Sequence, residues 1–366
     1  MADSKVTALI DSPTLLSRLL TTKTATAVEN LLAELPVVPE TSYVWVDADP
    51  GKGWHAGKLH WVPVGRDRGN AGRIQLAGDP YNPSAERLIN GMEAIIELAR
   101  RRELRDDAAA EPPQSPREAV ERYFGLPRLD LIPRIKDKDI RHGLEERLRE
   151  ARRRLLLRLE FDKKLREFSL EIRDFGIGQT PERVHNTLLS LGRTDKADKP
   201  YLIGVFGQGG SSTYAASRYS VVISRRETEF IDGDPDGIGW TVVKKIVPKG
   251  RRDPYYAYLA ALPEGRVPTV ILDANVATQF ESGTMFRHIG YDFGRQGSAV
   301  ARTLFYAMNH VLFSPVLPYD LYALKDKADA MHGTAYRLAR QTAQLEREGK
   351  PFLDNSFQPQ SVAALL

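Results

Sequence analysis

Residues 171–213 read EIRDFGIGQTPERVHNTLLSLGRTDKADKPYLIGVFGQGGSST. Just before and into them, Phe168 to Ile172 alternate apolar and polar, the period of a half-buried strand. Asp174 stands at the end of that strand. Gly176 and Gly178 follow, and without side chains they let a flat ligand approach the backbone. Thr180-Pro181-Glu182 reads as a helix start, with Thr180 as N-cap and Pro181 in the first turn. The pattern holds a carboxylate at a strand-to-helix elbow, where it can accept from an exocyclic amine. Its plainer reading is a tight turn capped by Asp.

Gly204, Gly207 and Gly209 follow the spacing GxxGxG. Gly210, Ser211, Ser212 and Thr213 come next, ahead of the helix-like Tyr214-Ala215-Ala216. Backbone N–H groups at a helix start, with hydroxyls beside them, suit an anion. No Gly-Lys-Ser/Thr follows, so this is not a Walker loop, and no βαβ unit with a ribose-binding acid surrounds it. Taken alone, the run is an ordinary flexible turn.

Two further pieces lie outward from this stretch. Upstream, Ser84 to Ile96 reads as a helix with Ser84 as N-cap and Leu88, Met92, Ile95 and Ile96 as its apolar face. Glu86 and Asn90 are one turn apart on another face, a carboxylate to activate water and an amide to ligate Mg²⁺, or simply a solvated pair. Downstream, Gly283-Thr284 supplies a hydroxyl at a turn before an apolar strand.

These four pieces, in this order, resemble the GHKL (Bergerat-fold) ATPase superfamily of gyrase, the heat-shock chaperone, mismatch-repair MutL, the microrchidia ATPases and histidine kinases. The first box is Glu86…Asn90 with Glu93-Ala94, the second Asp174, Gly176 and Gly178, the third Gly204, Gly207 and Gly209, the fourth Gly283-Thr284. The likeness spans roughly 64–317. It implies a two-layer α/β sandwich, with helices on one face of a mixed sheet, that binds ATP with Mg²⁺. By it Glu86 is the general base, Asn90 the Mg²⁺ ligand and Asp174 the adenine acceptor supported by Thr284. Gly176 and Gly178 fall at the adenine pocket, and Gly204, Gly207, Gly209, Gly210 and Ser211 at the phosphates. Residues 187–203 are then the ATP lid, with Lys196 and Lys199 the candidates for the terminal phosphate.

A carboxylate at Glu86 favours hydrolysis over phosphotransfer. His142 and His185 stand alone, without a phospho-acceptor segment, so a histidine-kinase reading is disfavoured. The sequence departs from the family in Ile89 before Asn90, in Glu93 where an Asp is usual, and in a long insertion before Asp174. The resemblance further implies a switch, in which closure of the lid drives dimerisation or engages a partner protein or DNA. Genome maintenance and anti-phage defence are the settings that analogy brings, and a nucleotide-gated module with negligible hydrolysis is the competing reading.

The chain has 366 residues, 42% of them hydrophobic, enough for a sizeable core. It has no cysteine, which excludes disulfides, thiol catalysis and cysteine-ligated metals. No apolar run reaches the roughly 20 residues that span a bilayer. The start MADSKVTALIDSPTLLSRLL lacks the order of a secretory signal, so a bacterial cytoplasmic protein is expected. A net charge of +4 neither requires nor excludes nucleic acid.

The expected layout is a helical arm over 1–40, an ATP-binding domain over 41–318 with a helical insertion at about 104–168, and a helical extension over 319–366. Within it, Tyr43–Val46, Leu59–Val64 and Arg73–Leu76 read as strands, 106–116 as a flexible linker, and Ser115-Pro116 as the cap of another helix. Residues 139–167 read as one long charged helix with Leu144, Leu148, Ala151, Leu155 and Leu159 as its buried stripe. The Arg152-Arg153-Arg154 run makes it a candidate to track a phosphate backbone, although a solvated face is the commoner meaning. Residues 219–290 read as strand-rich, 296–313 as a helix, and 322–348 as helical and charged.

Overall fold

The structure, a computed structural model, describes residues 13–39, 52–191, 199–203, 209–248, 250, 253–272, 279–294, 299–350, 352–353 and 359–360. Its centre is a mixed sheet. In chain order the strands are β1 (His60–Pro63), β2 (Leu155–Asp162), β3 (Glu167–Asp174), β4 (Tyr219–Arg225), β5 (Ile238–Ile246), β6 (Tyr255–Ala260), β7 (Thr269–Val270), β8 (Gly283–Ile289), β9 (Tyr319–Ala323) and β10 (Asp329–Met331). They lie in the order β1-β6-β5-β4-β8-β3-β2-β9-β10, with β7 beside β5. Neighbours are antiparallel except β2 and β9, where Leu156 pairs with Asp320 and Leu159 with Ala323.

The helices are α1 (Pro13–Thr21), α2 (Ala25–Glu34), α3 (Asn82–Asp106), α4 (Pro116–Phe124), α5 (Lys138–Arg152), α6 (Pro181–Val184), α7 (Ser212–Ala215), α8 (Val300–Val311) and α9 (Gly333–Arg347). The α/β sandwich is as expected, with the principal helices on one face. Leu88, Met92, Ile95 and Ile96 of α3 pack there with Leu155, Leu157, Leu170 and Ile172 of the sheet and Leu304 and Met308 of α8. Gly91 lets α3 come this close, since a Cβ there would lie 2.6 Å from Leu155 Cδ1 and 3.3 Å from Asp174 Cβ. The contact brings α3 against the strand end that carries Asp174.

The arm expected over 1–40 proves to be part of the packing. From its described residues, Leu15, Leu16 and Leu19 of α1 and Val28 and Leu31 of α2 cover the other face of the sheet, over Val221, Ile223, Trp240, Val242, Met285 and Ile289. Arg287 of β8 donates from Nη1 to the carbonyls of Leu19, Leu20 and Thr22, and its guanidinium pairs with Glu171.

Several expectations are corrected. The expected helix over 139–167 ends at Arg152, and Leu155 and Leu159 belong to β2 instead. Of its basic residues, Arg152 pairs with Asp320 at 3.1 Å, Arg149 with Glu146, and Arg147 donates to the Gly125 carbonyl. The charged stretch 322–348 opens with strand, turn and strand before α9, so the sheet continues past 318 into the expected helical extension. Arg73–Leu76 is not a strand, though Ile74 is buried. Tyr43–Val46 lies outside the described residues. The Ala- and Pro-rich linker is gripped: Arg100 Nη2 donates to the Ala110 carbonyl at 2.6 Å, and Arg122 Nη1 to that of Glu111 at 2.8 Å. Ser115 does cap α4, accepting from the Glu118 N–H at 3.1 Å.

Candidate active site

A cleft of about 270 Å³ opens between α3, the end of β3, the elbow after it, and the turn before α7. The helical period of α3 decides what it shows. Arg87, Asn90, Gly91 and Ala94 recur at one face and line the cleft, and Glu93 and Glu97 line its flank. α3 begins at Asn82, one turn earlier than expected, with Pro83 in its first turn. Ser84 therefore lies inside the helix, buried, rather than at the cap. Asn90 faces the cleft. Glu86 stands exposed on the same helix and is not among the lining residues.

Asp174 lines the same cleft beside Gly91 of α3, 7% exposed at the end of β3. Burial pushes its carboxyl up to about 7, against the pull of the Gly176 and Thr284 amides and the Arg173 charge. Its Oδ1 accepts from the Gly176 N–H at 3.0 Å. Ladder register sets Thr284 of β8 directly beside Asp174, and Ser224 of β4 directly beside Thr284. The hydroxyls of Ser224 and Thr284 lie 3.0 Å apart, and Ser224 Oγ accepts from the Gln179 N–H at 2.9 Å. A carboxyl and two hydroxyls thus stand in a row across three strands.

The elbow is shaped by two close approaches. A Cβ on Gly176 would lie 2.5 Å from the Ala94 backbone, where the Ile177 N–H donates to the Ala94 carbonyl at 3.0 Å. Gly178 has φ +61°, and a Cβ there would lie 1.8 Å from the Arg225 carbonyl oxygen. Thr180 precedes α6, but its side chain does not cap the helix. Its hydroxyl donates instead to Asp234 Oδ2 at 2.8 Å, which also accepts from Arg183 Nε. His185 is buried, and burial lowers its imidazole to about 4. His142 is exposed beside Glu146.

Of the glycine run, Gly204 and Gly207 lie outside the described residues, as does Lys196 in the expected lid. Gly209 opens a short turn through Ser211, and Gly210 and Ser211 line the cleft. The following α7 is a single turn, so the run offers individual N–H groups and hydroxyls rather than a long helix dipole. Residues 199–203, the far end of the expected lid, are tied down. Lys199 Nζ lies 2.8 Å from Glu97 Oε1, Tyr201 donates to Glu97 Oε2 at 3.0 Å, and the Ile203 N–H donates to Glu93 Oε1 at 2.8 Å.

Asp174, Asn90, Gly178, Gly210, Ser211 and Thr284 therefore converge on one cleft. Sequence reasoning missed Arg87, Glu97 and Ser224. The first two sit three residues before and seven after Asn90, so the helical period around Asn90 points to both. Nothing local marks Ser224, which enters through strand pairing. Among the described residues no group of three His, Cys, Asp or Glu side chains converges to hold a metal. A hard cation at the Asn90 amide would need oxygens from a bound ligand, which is how Mg²⁺ is held when phosphates complete its shell. No described helix is long and apolar enough to cross a membrane. In comparisons with known proteins the chain matches no family model, and no curated protein matches it.

Proposed function

We propose that the cleft binds ATP and that the chain is a Mg²⁺-dependent ATPase of the GHKL class. The observation that carries this reading is the buried Asp174, backed by the Thr284 and Ser224 hydroxyls and lining, with Asn90, a cleft that also meets Gly210 and Ser211. The adenine amino group donates to Asp174 while the ring lies against Ile172, Ile177 and Gly178. The Gly210 and Ser211 turn receives the phosphates. Asn90 would hold Mg²⁺ together with phosphate oxygens of the nucleotide, and the ion would supply charge neutralisation there. Glu86 takes the proton of the water that attacks the terminal phosphorus, while the bond from that phosphorus to the β–γ bridging oxygen breaks and ADP leaves with the electron pair. The ties from Glu93 and Glu97 to residues 199–203 are suited to sense nucleotide, and through them lid closure engages a second copy, a partner protein or DNA.

A second reading has one observation in its favour. Glu86 is exposed and off the cleft lining, which suits a nucleotide-gated binding module that turns over negligibly. Phosphate release from MgATP by wild type and Glu86→Ala, with nucleotide binding measured on both, separates the two. Loss of turnover with binding retained is the expected outcome. Binding without turnover in either protein selects the gated module, and no binding by folded wild type ends both readings.

A further inference from the structure

We propose that Arg87 is a phosphate-sensing ligand of this cleft: its guanidinium takes an oxygen of the terminal phosphate and makes the site discriminate triphosphate from diphosphate. This rests on the nucleotide reading above and adds a residue that none of the four sequence boxes contains.

Arg87 sits one turn before Asn90 on the cleft face of α3 and is 7% exposed. Its guanidinium carbon lies 3.9 Å from the Phe286 ring centre and 5.0 Å from that of Tyr214. Nε donates to Thr213 Oγ1 at 3.3 Å, and among the described residues the buried Nη2 has no hydrogen-bond partner. A buried guanidinium ordinarily has a carboxylate, because an unpaired charge away from water is costly. Elsewhere in this molecule the rule holds: Arg287 has Glu171, and Arg100 has Glu103. Among the described residues no carboxylate pairs with Arg87.

The surroundings point to an anion from outside. The position of a Cβ on Gly210 would be 3.1 Å from the Arg87 Cζ, so the guanidinium lies against the glycine turn. Lys199, also a cation on the cleft lining, is committed to Glu97. Stacking on two aromatic rings holds the planar fork in orientation before any ligand arrives, and an oriented fork matches two phosphate oxygens. The shared face with Asn90 sets this charge on the same side as the amide that would hold the phosphate-bound cation.

The test is calorimetric titration of wild type, Arg87→Gln and Arg87→Lys with MgATP, MgADP and adenosine, after thermal melts show each protein folded. Wild type is expected to prefer ATP over ADP. Arg87→Gln is expected to lose at least about tenfold in ATP affinity with adenosine affinity unchanged, collapsing the preference. Arg87→Lys, which keeps charge but not the fork, falls between and carries the test if the glutamine variant does not fold. An unchanged ATP-to-ADP ratio in the folded variants overturns the role of Arg87 while leaving the nucleotide site standing. Wild type that binds none of the three ligands overturns the site and the inference together.

Discussion

On one face of β8, Thr284 and Phe286 line an open cleft; on the other, Met285, Arg287 and Ile289 lie under α1 and α2. Both faces are buried and both carry polar groups, yet they are finished differently. Arg287 meets Glu171 and three carbonyls, so its hydrogen-bonding capacity is spent inside the fold. Across the strand, Arg87 stacks on Phe286 with a buried nitrogen left over, and Asp174 is a desolvated carboxyl held by backbone amides. Polar groups that stabilise a fold are paired within it, whereas those that serve a ligand keep capacity in reserve at some cost to stability.

Arg287→Ala breaks the closed face most directly. It strands the half-buried Glu171 and orphans the carbonyls at the end of α1, with an expected loss of about 3–5 kcal/mol in denaturant unfolding. A loss under about 1 kcal/mol would mean that the far face is held by apolar contact alone.

Asp174→Asn tests the cleft face with the opposite sign. The folded carboxyl titrates at about 7 against an ordinary 3.8, so the acid form is favoured by folding. Its contribution is full below the ordinary value and is lost as pH rises through about 7. Relative to wild type, the asparagine variant should therefore gain about 2–3 kcal/mol on going from about pH 5 to about pH 8, while losing ATP binding. Denaturant melts at the two pH values measure it. A variant that tracks wild type at both would show that Asp174 titrates normally.

The smallest effect is expected from Glu97→Gln. It removes the Lys199 ion pair and leaves Tyr201 an uncharged acceptor, with about 1 kcal/mol at stake. Hydrogen exchange at the Leu202 and Ile203 amides should quicken severalfold with global stability nearly unchanged. Unaltered exchange there would assign the tie to Glu93 alone.

The sequence was legible where a local rule has one meaning. Strand alternation into Asp174 and the paired glycines after it mark an elbow, and the elbow is there. The period of α3 sets Asn90 on a face, but the helix starts at Asn82 with Pro83 in its first turn, ahead of the better-looking cap Ser84. Reading failed where one spacing serves two structures. Leu155 and Leu159 are four apart, which continues the helical stripe of Leu144, Leu148 and Ala151, but Leu155, Leu157 and Leu159 also alternate as a strand. The pairing of Leu155 with Asp174 on one side and of Leu156 with Asp320 on the other chose the strand. Lys325 to Lys327 looked helical for want of any partner in view, yet they turn the chain between β9 and β10.

By itself the sequence determined the absence of thiol chemistry and the local frames of Asp174, Gly178 and Asn90, because period and glycine placement act within a few residues, while the α/β class was what the resemblance of its four motifs implied. Only the tertiary structure decided that Thr284 and Ser224 stand beside Asp174, that Arg87 lies on Phe286 with no carboxylate beside it among the described residues while Lys199 is taken by Glu97, and that α1 and α2 close the opposite face. Those choices depend on strand register and on which charges find partners, and both are settled by residues far apart in the chain.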